Sequence, residues 1–209
     1  MLITFEGLDF SGKSTQIKLL AERLKQEQHR VLVLREPGGT PIGEKIREIL
    51  LDTKSSGMTA FAEFLLYSAS RSQLVEDVMK PALASGKVVI SDRFYDSSSA
   101  YQGWGRGLPL DILRAINQMA SGGLQPDLTF FIDIPLNEVE RRIEERGEGK
   151  DRIESGGHAF YERVLQGYRA LIAEHERFKR IDGMKSIEEI KSVIWNAVSA
   201  KLNERKPSL

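Results

Sequence analysis

Short apolar runs recur along the chain, each followed by a stretch whose apolar residues fall three or four apart. The runs are LITFE (2–6), VLVLR (31–35), KVVISD (87–92), LTFFIDI (128–134) and a weaker FKRID (178–182). A strand covered on both faces reads as a continuous apolar run, whereas a crossover helix shows one apolar stripe. The alternation therefore predicts an α/β fold, a parallel five-stranded sheet flanked by helices. Ile17, Leu20, Ala21 and Leu24 carry the first stripe, so a helix is expected to begin near Lys13. Toward the other end, Ser186 and Glu189 have capping-box spacing ahead of Ile190, Val193, Ile194 and Ala197, which marks an amphipathic closing helix. Residues 59–85 read as one helical region interrupted near Pro81. Their apolar residues exceed one buried stripe, which predicts a second covered face such as a subunit contact. With no internal repeat, low-complexity tract or linker, residues 1–209 are expected to form a single domain.

Composition narrows the classes. Lysine plus arginine number 30 and so do aspartate plus glutamate, so no overall basic field recruits nucleic acid or an anionic membrane. Any basic site must be local. The chain has no cysteine, which removes disulfides and thiolate metal sites and suits a reducing compartment. No apolar run approaches the roughly 18 residues of a membrane span, and MLITFEG at the start lacks a basic leader region. A soluble, cytoplasmic protein is the expectation, with neither nucleic acid nor membrane as partner.

The first strand runs into FEGLDFSGKST (5–15), where Gly7 is followed after four residues by Gly12-Lys13-Ser14, the spacing of a phosphate-wrapping loop. The stretch Gly7, Leu8, Asp9, Phe10, Ser11, Gly12, Lys13, Ser14 and Thr15 is expected to bind the phosphates of ATP through backbone N–H groups and a helix N-terminus, with Lys13 reaching the outer phosphates. The Ser14 hydroxyl suits the shell of Mg²⁺, and a carboxylate at a neighbouring strand tip should share that ion. Asp92 and Asp133 both end apolar runs; Asp92 is favoured because Arg93 follows it.

Three further segments concentrate recognition chemistry. REPGGT (35–40) brings Glu36, YSASRSQ (67–73) puts Tyr67 and Arg71 on one helix face, and DRFYDSSSAYQG (92–103) brings Arg93, Ser97, Ser98, Tyr101 and Gln102. In an open parallel sheet, ligands sit beyond the carboxyl ends of the strands, so these segments should converge on the glycine loop. Together with PDLTFFIDI and DRIE, in this order and at these spacings, they make nearly the whole chain resemble the thymidylate kinase family of nucleoside monophosphate kinases. The resemblance implies a P-loop NTPase fold with a mobile lid, transfer of the ATP γ-phosphoryl group to dTMP to give dTDP and ADP in dTTP synthesis, Mg²⁺, and a homodimer. It also implies that Arg93 and Arg47 hold the dTMP phosphate, that Asp9 binds the sugar 3′-hydroxyl and helps to organise the metal side, with Lys13, Arg93 and Asp9 catalytic, and that Glu36 lies close to the sugar or to a Mg²⁺-bound water. Tyr67 would stack on thymine, Arg71, Ser98 and Gln102 would read the base edge, and Tyr101 would crowd the place of a 2′-hydroxyl. Read from residues alone, Tyr67 is also compatible with ordinary core, and Arg47 with a surface pair to Glu44 or Glu48. Phe10 stands where the family commonly has glycine; a bulky residue resists positive φ, so the loop's local path is open.

The glycine loop carries no cation beyond Lys13, and phosphoryl transfer needs another. RRIEERGEGKDRIE (141–154) offers candidates, with Gly147, Gly149, Gly156 and Gly157 positioned to let a lid of about 141–156 close over ATP. Family members carry the extra cation in the phosphate loop or in the lid, and this chain resembles the second kind. Arg146 and Arg152 are the assigned catalytic arginines, with Lys150 as a helper, while Arg141 and Arg142 read as helix residues paired with nearby glutamates. A phosphate acceptor is already ionised at neutral pH and needs no base. A nucleoside hydroxyl would need one, Glu36 being the candidate, so a deoxynucleoside kinase is the alternative enzyme. A GTPase would show Asn-Lys-x-Asp after a strand and a transport ATPase a long signature helix; neither is present. A nucleotide sensor without turnover would not need Lys13, Asp92 and Arg93 together.

Overall fold

A computed structural model describes residues 1–146, 152–153 and 157–204, Arg146 through its backbone only; Lys150 and the glycines at 147, 149 and 156 lie outside the described residues. Strands β1 (Leu2–Glu6), β2 (Val31–Arg35), β3 (Val88–Asp92), β4 (Leu128–Asp133) and β5 (Phe178–Asp182) form one sheet, parallel throughout, in the order β2-β3-β1-β4-β5. The helices are α1 (Lys13–Gln26), α2 (Pro41–Leu51), α3 (Ala60–Leu74), α4 (Lys80–Ala84), α5 (Tyr95–Ser98), α6 (Leu110–Ala120), α7 (Leu136–Arg146), α8 (His158–Glu174) and α9 (Ile187–Glu204).

On one face of the sheet, Ile3, Phe5, Ile90, Phe130 and Ile132 pack on Ile17, Leu20 and Leu24 of α1 and Ile190, Ile194 and Val198 of α9. On the other, Leu2 and Val89 meet Leu74, Val75 and Met79, while Phe131 meets Val164 and Tyr168 of α8. Covering both faces is what makes the central strands read as unbroken apolar runs. The weak run FKRID is the edge strand β5, in which Phe178 and Ile181 are buried and Lys179 and Arg180 are exposed. The closing helix starts as its spacing predicts: Ser186 N donates to Glu189 Oε2 at 3.0 Å, and Glu189 N donates back to Ser186 Oγ at 3.3 Å.

The region expected as one interrupted helix is helical from Ala60 to Ala84, with a π-helical turn over Val75–Met79. That turn falls just before Pro81, which lacks an N–H and crowds the preceding turn. The strand order matters most for the site. It sets the carboxyl ends of β1 and β3 side by side, Phe5 opposite Asp92, so the glycine loop and the turn at Arg93 leave the sheet as neighbours.

Candidate active site

Two glycines shape the loop after β1. Gly7 has φ +136, and a Cβ there would lie 2.6 Å from the Ile132 carbonyl oxygen; Gly12, at φ +96, caps the start of α1. Side-chain-bearing residues rarely adopt either conformation, which is the physical content of the glycine spacing. Phe10 is also left-handed, at φ 62. The loop keeps its positive-φ path in spite of the bulky residue, at a cost of about 1–2 kcal/mol. Its ring packs against the cluster that contains Leu8 and Ile153, and its carbonyl accepts a hydrogen bond from Arg142 Nη1 at 2.7 Å. Both contacts offset the strain.

Lys13 Nζ donates to the carbonyls of Gly7 (3.1 Å) and Leu8 (2.8 Å). Burial, and then the nearby Arg93 guanidinium, push its ammonium down to about 8. Arg93 sits in a left-handed turn, φ 72, pinned from below by Glu6. Phe94 N donates to Glu6 Oε1 at 2.9 Å, and Tyr168 OH and Ser97 Oγ donate to Oε2 at 2.9 and 2.5 Å. The Arg93 guanidinium donates to Asp9 Oδ1 (2.8 Å), Ser97 Oγ (3.1 Å) and Tyr101 OH (3.3 Å). Burial penalises the Asp9 charge, but the Arg93 and Lys13 cations outweigh it and hold the carboxyl below the usual range.

On α3, Arg71 is 1% exposed and almost fully engaged. It donates to Glu36 Oε2 (2.8 Å), Asn117 Oδ1 (2.9 Å) and Ser98 Oγ (2.8 Å). Arg47 Nη1 donates to the Pro37 carbonyl at 3.2 Å, while Glu44 pairs with Arg35. Asp9, the loop from Phe10 to Thr15, Glu36, Arg47, Tyr67, Arg71, Asp92, Arg93, Ser98, Tyr101 and Gln102 all line one cavity of about 500 Å³. Gly7 and the buried Leu8 lie behind its wall. Between the two candidate carboxylates, the geometry separates what the pattern left open. Asp92 lines the cavity and has a buried Oδ1 without a partner, whereas Asp133 is bonded to Arg180 outside it.

The family model for thymidylate kinase matches residues 5–194. The chain belongs to the thymidylate kinase family. A thymidylate kinase of Chlorobium luteolum is 49% identical over 98% of this chain and 100% of its own length, and one of Exiguobacterium sp. is 47% identical over 98% and 96%. The crystal structure of thymidylate kinase from Ehrlichia chaffeensis superposes with a TM-score of 0.77 at 33% identity, covering 95% of this chain and 98% of that one. Membership in the thymidylate kinase family makes this an enzyme that phosphorylates dTMP to dTDP with ATP, on a P-loop NTPase fold. The phosphate acceptor thus prevails over the nucleoside alternative.

Arg152, expected in the lid over ATP, is buried and does not line the cavity; its Nε donates to the Leu50 carbonyl at 2.7 Å and its Nη1 to Glu63. A buried guanidinium needs a carboxylate, and Glu63 supplies it. Arg142 reaches further than its sequence reading suggested: it pairs with Glu138, as expected, but also bonds the glycine loop at Phe10 and lines the cavity. The Arg146 side chain lies outside the described residues. Glu6, Glu63, Asn117 and Tyr168 do not line the cavity but brace the residues that do, and the sequence reading does not single them out. Signals existed for two: Glu6 is a charge inside a buried run, and Tyr168 continues the stripe Phe160, Val164, Tyr168, Leu171.

Proposed function

We propose that ATP lies on the Gly7–Thr15 loop and that dTMP enters the same cavity with its phosphate on Arg93 and Arg47. The observation that supports this most is the convergence of two cations, the buried Lys13 and the partly buried Arg93, from adjacent strand ends into one cavity with Asp9 bonded to Arg93. Because the dTMP phosphate is ionised near neutral pH, positioning and charge neutralisation suffice and no base is required. Asp9 takes the sugar 3′-hydroxyl with Glu36 beside it, Tyr67 stacks on the base, Arg71, Ser98 and Gln102 read its edge, and Tyr101 disfavours a 2′-hydroxyl. Arg146 is the remaining lid cation of this reading.

Magnesium fits the donor side. The buried, unpartnered Oδ1 of Asp92 shares the cavity with Ser14, a sparse oxygen set suited to Mg²⁺ that keeps waters and phosphate oxygens as its other ligands. Among the described residues no three His, Cys, Asp or Glu side chains form a metal cage, in keeping with an ion that arrives with the nucleotide. When bound, it neutralises the phosphate charge that builds during transfer. Asp92→Asn is expected to raise the Mg²⁺ concentration for half-maximal rate about tenfold or more while the dTMP KM stays put; an unchanged Mg²⁺ titration removes Asp92 from the metal shell.

The reading also includes a single cytoplasmic kinase domain that forms a homodimer. Among the described residues no helix is long and apolar enough to cross a membrane. Ile42 and Ile49 of α2 and Phe61 and Leu65 of α3 stay 43–53% exposed on two helices that pack together. Such an apolar face suits a second copy of the chain. Phe61→Glu with Leu65→Glu should convert a dimer into a monomer in sedimentation velocity, and a native protein that sediments as a monomer would refute the dimer.

A further inference from the structure

Glu63, on the first turn of α3, is 1% exposed and does not line the cavity. Its Oε1 accepts from Gln102 Nε2 at 2.9 Å, and its carboxylate also accepts from Arg106 Nη2 (3.1 Å) and Arg152 Nη1 (2.5 Å). Burial favours the protonated form, but these three donors outweigh it and hold the carboxyl below its ordinary range. The group is therefore ionised and can only accept.

That constraint passes to Gln102. A glutamine side chain has a donating end and an accepting end, and facing an ionised carboxylate it must present the NH₂. Its carbonyl oxygen is left for the cavity, which Gln102 lines, and among the described residues that oxygen has no partner. Arg71 lines the same cavity and offers only N–H groups. A donor beside an acceptor matches a pyrimidine with a carbonyl at C4 and a proton on N3. Cytosine reverses both, with an amine at C4 and a bare N3.

We propose that Glu63 is a positioning residue that sets the pyrimidine preference of the enzyme, by holding the Gln102 amide with its oxygen toward the base. The inference rests on Gln102 reading the base, the role given to it above. Glu63→Gln keeps the shape but can donate as well as accept, so the Gln102 amide is free to turn over and offer its NH₂ to cytosine. The expected result is a fall of at least about tenfold in the dTMP-to-dCMP ratio of kcat/KM, carried mainly by a lower KM for dCMP. A charge removed from a buried cluster can cost the fold, so Glu63→Gln combined with Arg106→Gln, which removes an anion and a cation together, carries the same test.

Two controls separate the outcomes. Arg106→Gln alone loosens the cluster but leaves the Gln102 to Glu63 bond, and should leave the ratio unchanged; a shift as large as that of Glu63→Gln means generic disruption and overturns the inference. Gln102→Ala tests the underlying role. If it collapses the discrimination while Glu63→Gln does not alter it, the base-reading role stands and the inference falls. If Gln102→Ala leaves the ratio as it was, Gln102 does not read the base and both fall.

Discussion

Replacing Arg93 with alanine is expected to lower kcat/KM for dTMP by at least about 10²-fold, with both kcat and KM worsened. Arg93 donates to Asp9, Ser97 and Tyr101 from a left-handed turn, and its guanidinium is mostly shielded from water. Removing one partner of a fully buried charge pair costs about 3–5 kcal/mol; the Asp9 side chain is 36% exposed, so water compensates it in part and the cost is smaller. In the proposed reading two anions lose their counter-charge, Asp9 and the dTMP phosphate. Arg93→Lys retains the charge and loses the planar fork, so its defect should be smaller, on the order of tenfold. Steady-state kinetics with dTMP as the varied substrate measure both variants. Equal rates for the alanine variant and the native enzyme would place the acceptor phosphate elsewhere.

On the donor side of the proposed reading, where Lys13 and Arg146 act on charge that develops during transfer, Lys13→Ala and Arg146→Ala are each expected to lower kcat by about 10²-fold while the dTMP KM changes little. Arg152→Ala should differ in kind. Its bond to Glu63, which also holds Gln102 of the cavity wall, predicts that its loss appears in stability and in the KM of the substrate that Gln102 contacts. Lys13 adds a pH signature. Because burial and Arg93 push its ammonium down to about 8 in the free enzyme, kcat/KM for ATP should fall as pH rises above about 8, where the neutral amine no longer attracts the outer phosphates. At saturating ATP the bound phosphates stabilise the cation, so kcat should hold to higher pH. A kcat/KM profile for ATP that is flat from about pH 7 to pH 9 would contradict this.

The central sheet and the first helix were legible because their signals are local and repetitive. A strand covered on both faces has to be apolar along its length, a crossover helix has to carry one stripe, and a phosphate loop has to place glycine where φ is positive. LITFE, the stripe from Ile17 to Leu24, and the pair Gly7 and Gly12 obey these demands within a few residues of sequence. Phe10 marks the limit of such reasoning: a residue that local sterics disfavours is held by its contact with Arg142, 132 positions away.

The same limit explains Arg152 and the missed residues. The charge-rich stretch 141–154 announces cations but not their partners, because a partner is chosen by which carboxylate the fold brings near. Glu63, 89 positions from Arg152, is on α3, and the fold pairs the two. Glu6 and Tyr168, 162 positions apart, meet under the Arg93 turn only because β1 pairs with β4, where Phe131 lies opposite Glu6 and stacks on Tyr168 of α8. By itself the sequence determined the α/β class, the phosphate loop and the family, all of which depend on short-range spacing. Only the tertiary structure decided which charges neutralise one another and which remain directed at the cavity, since electrostatic pairing depends on distance in space and on burial, and neither is encoded in separation along the chain.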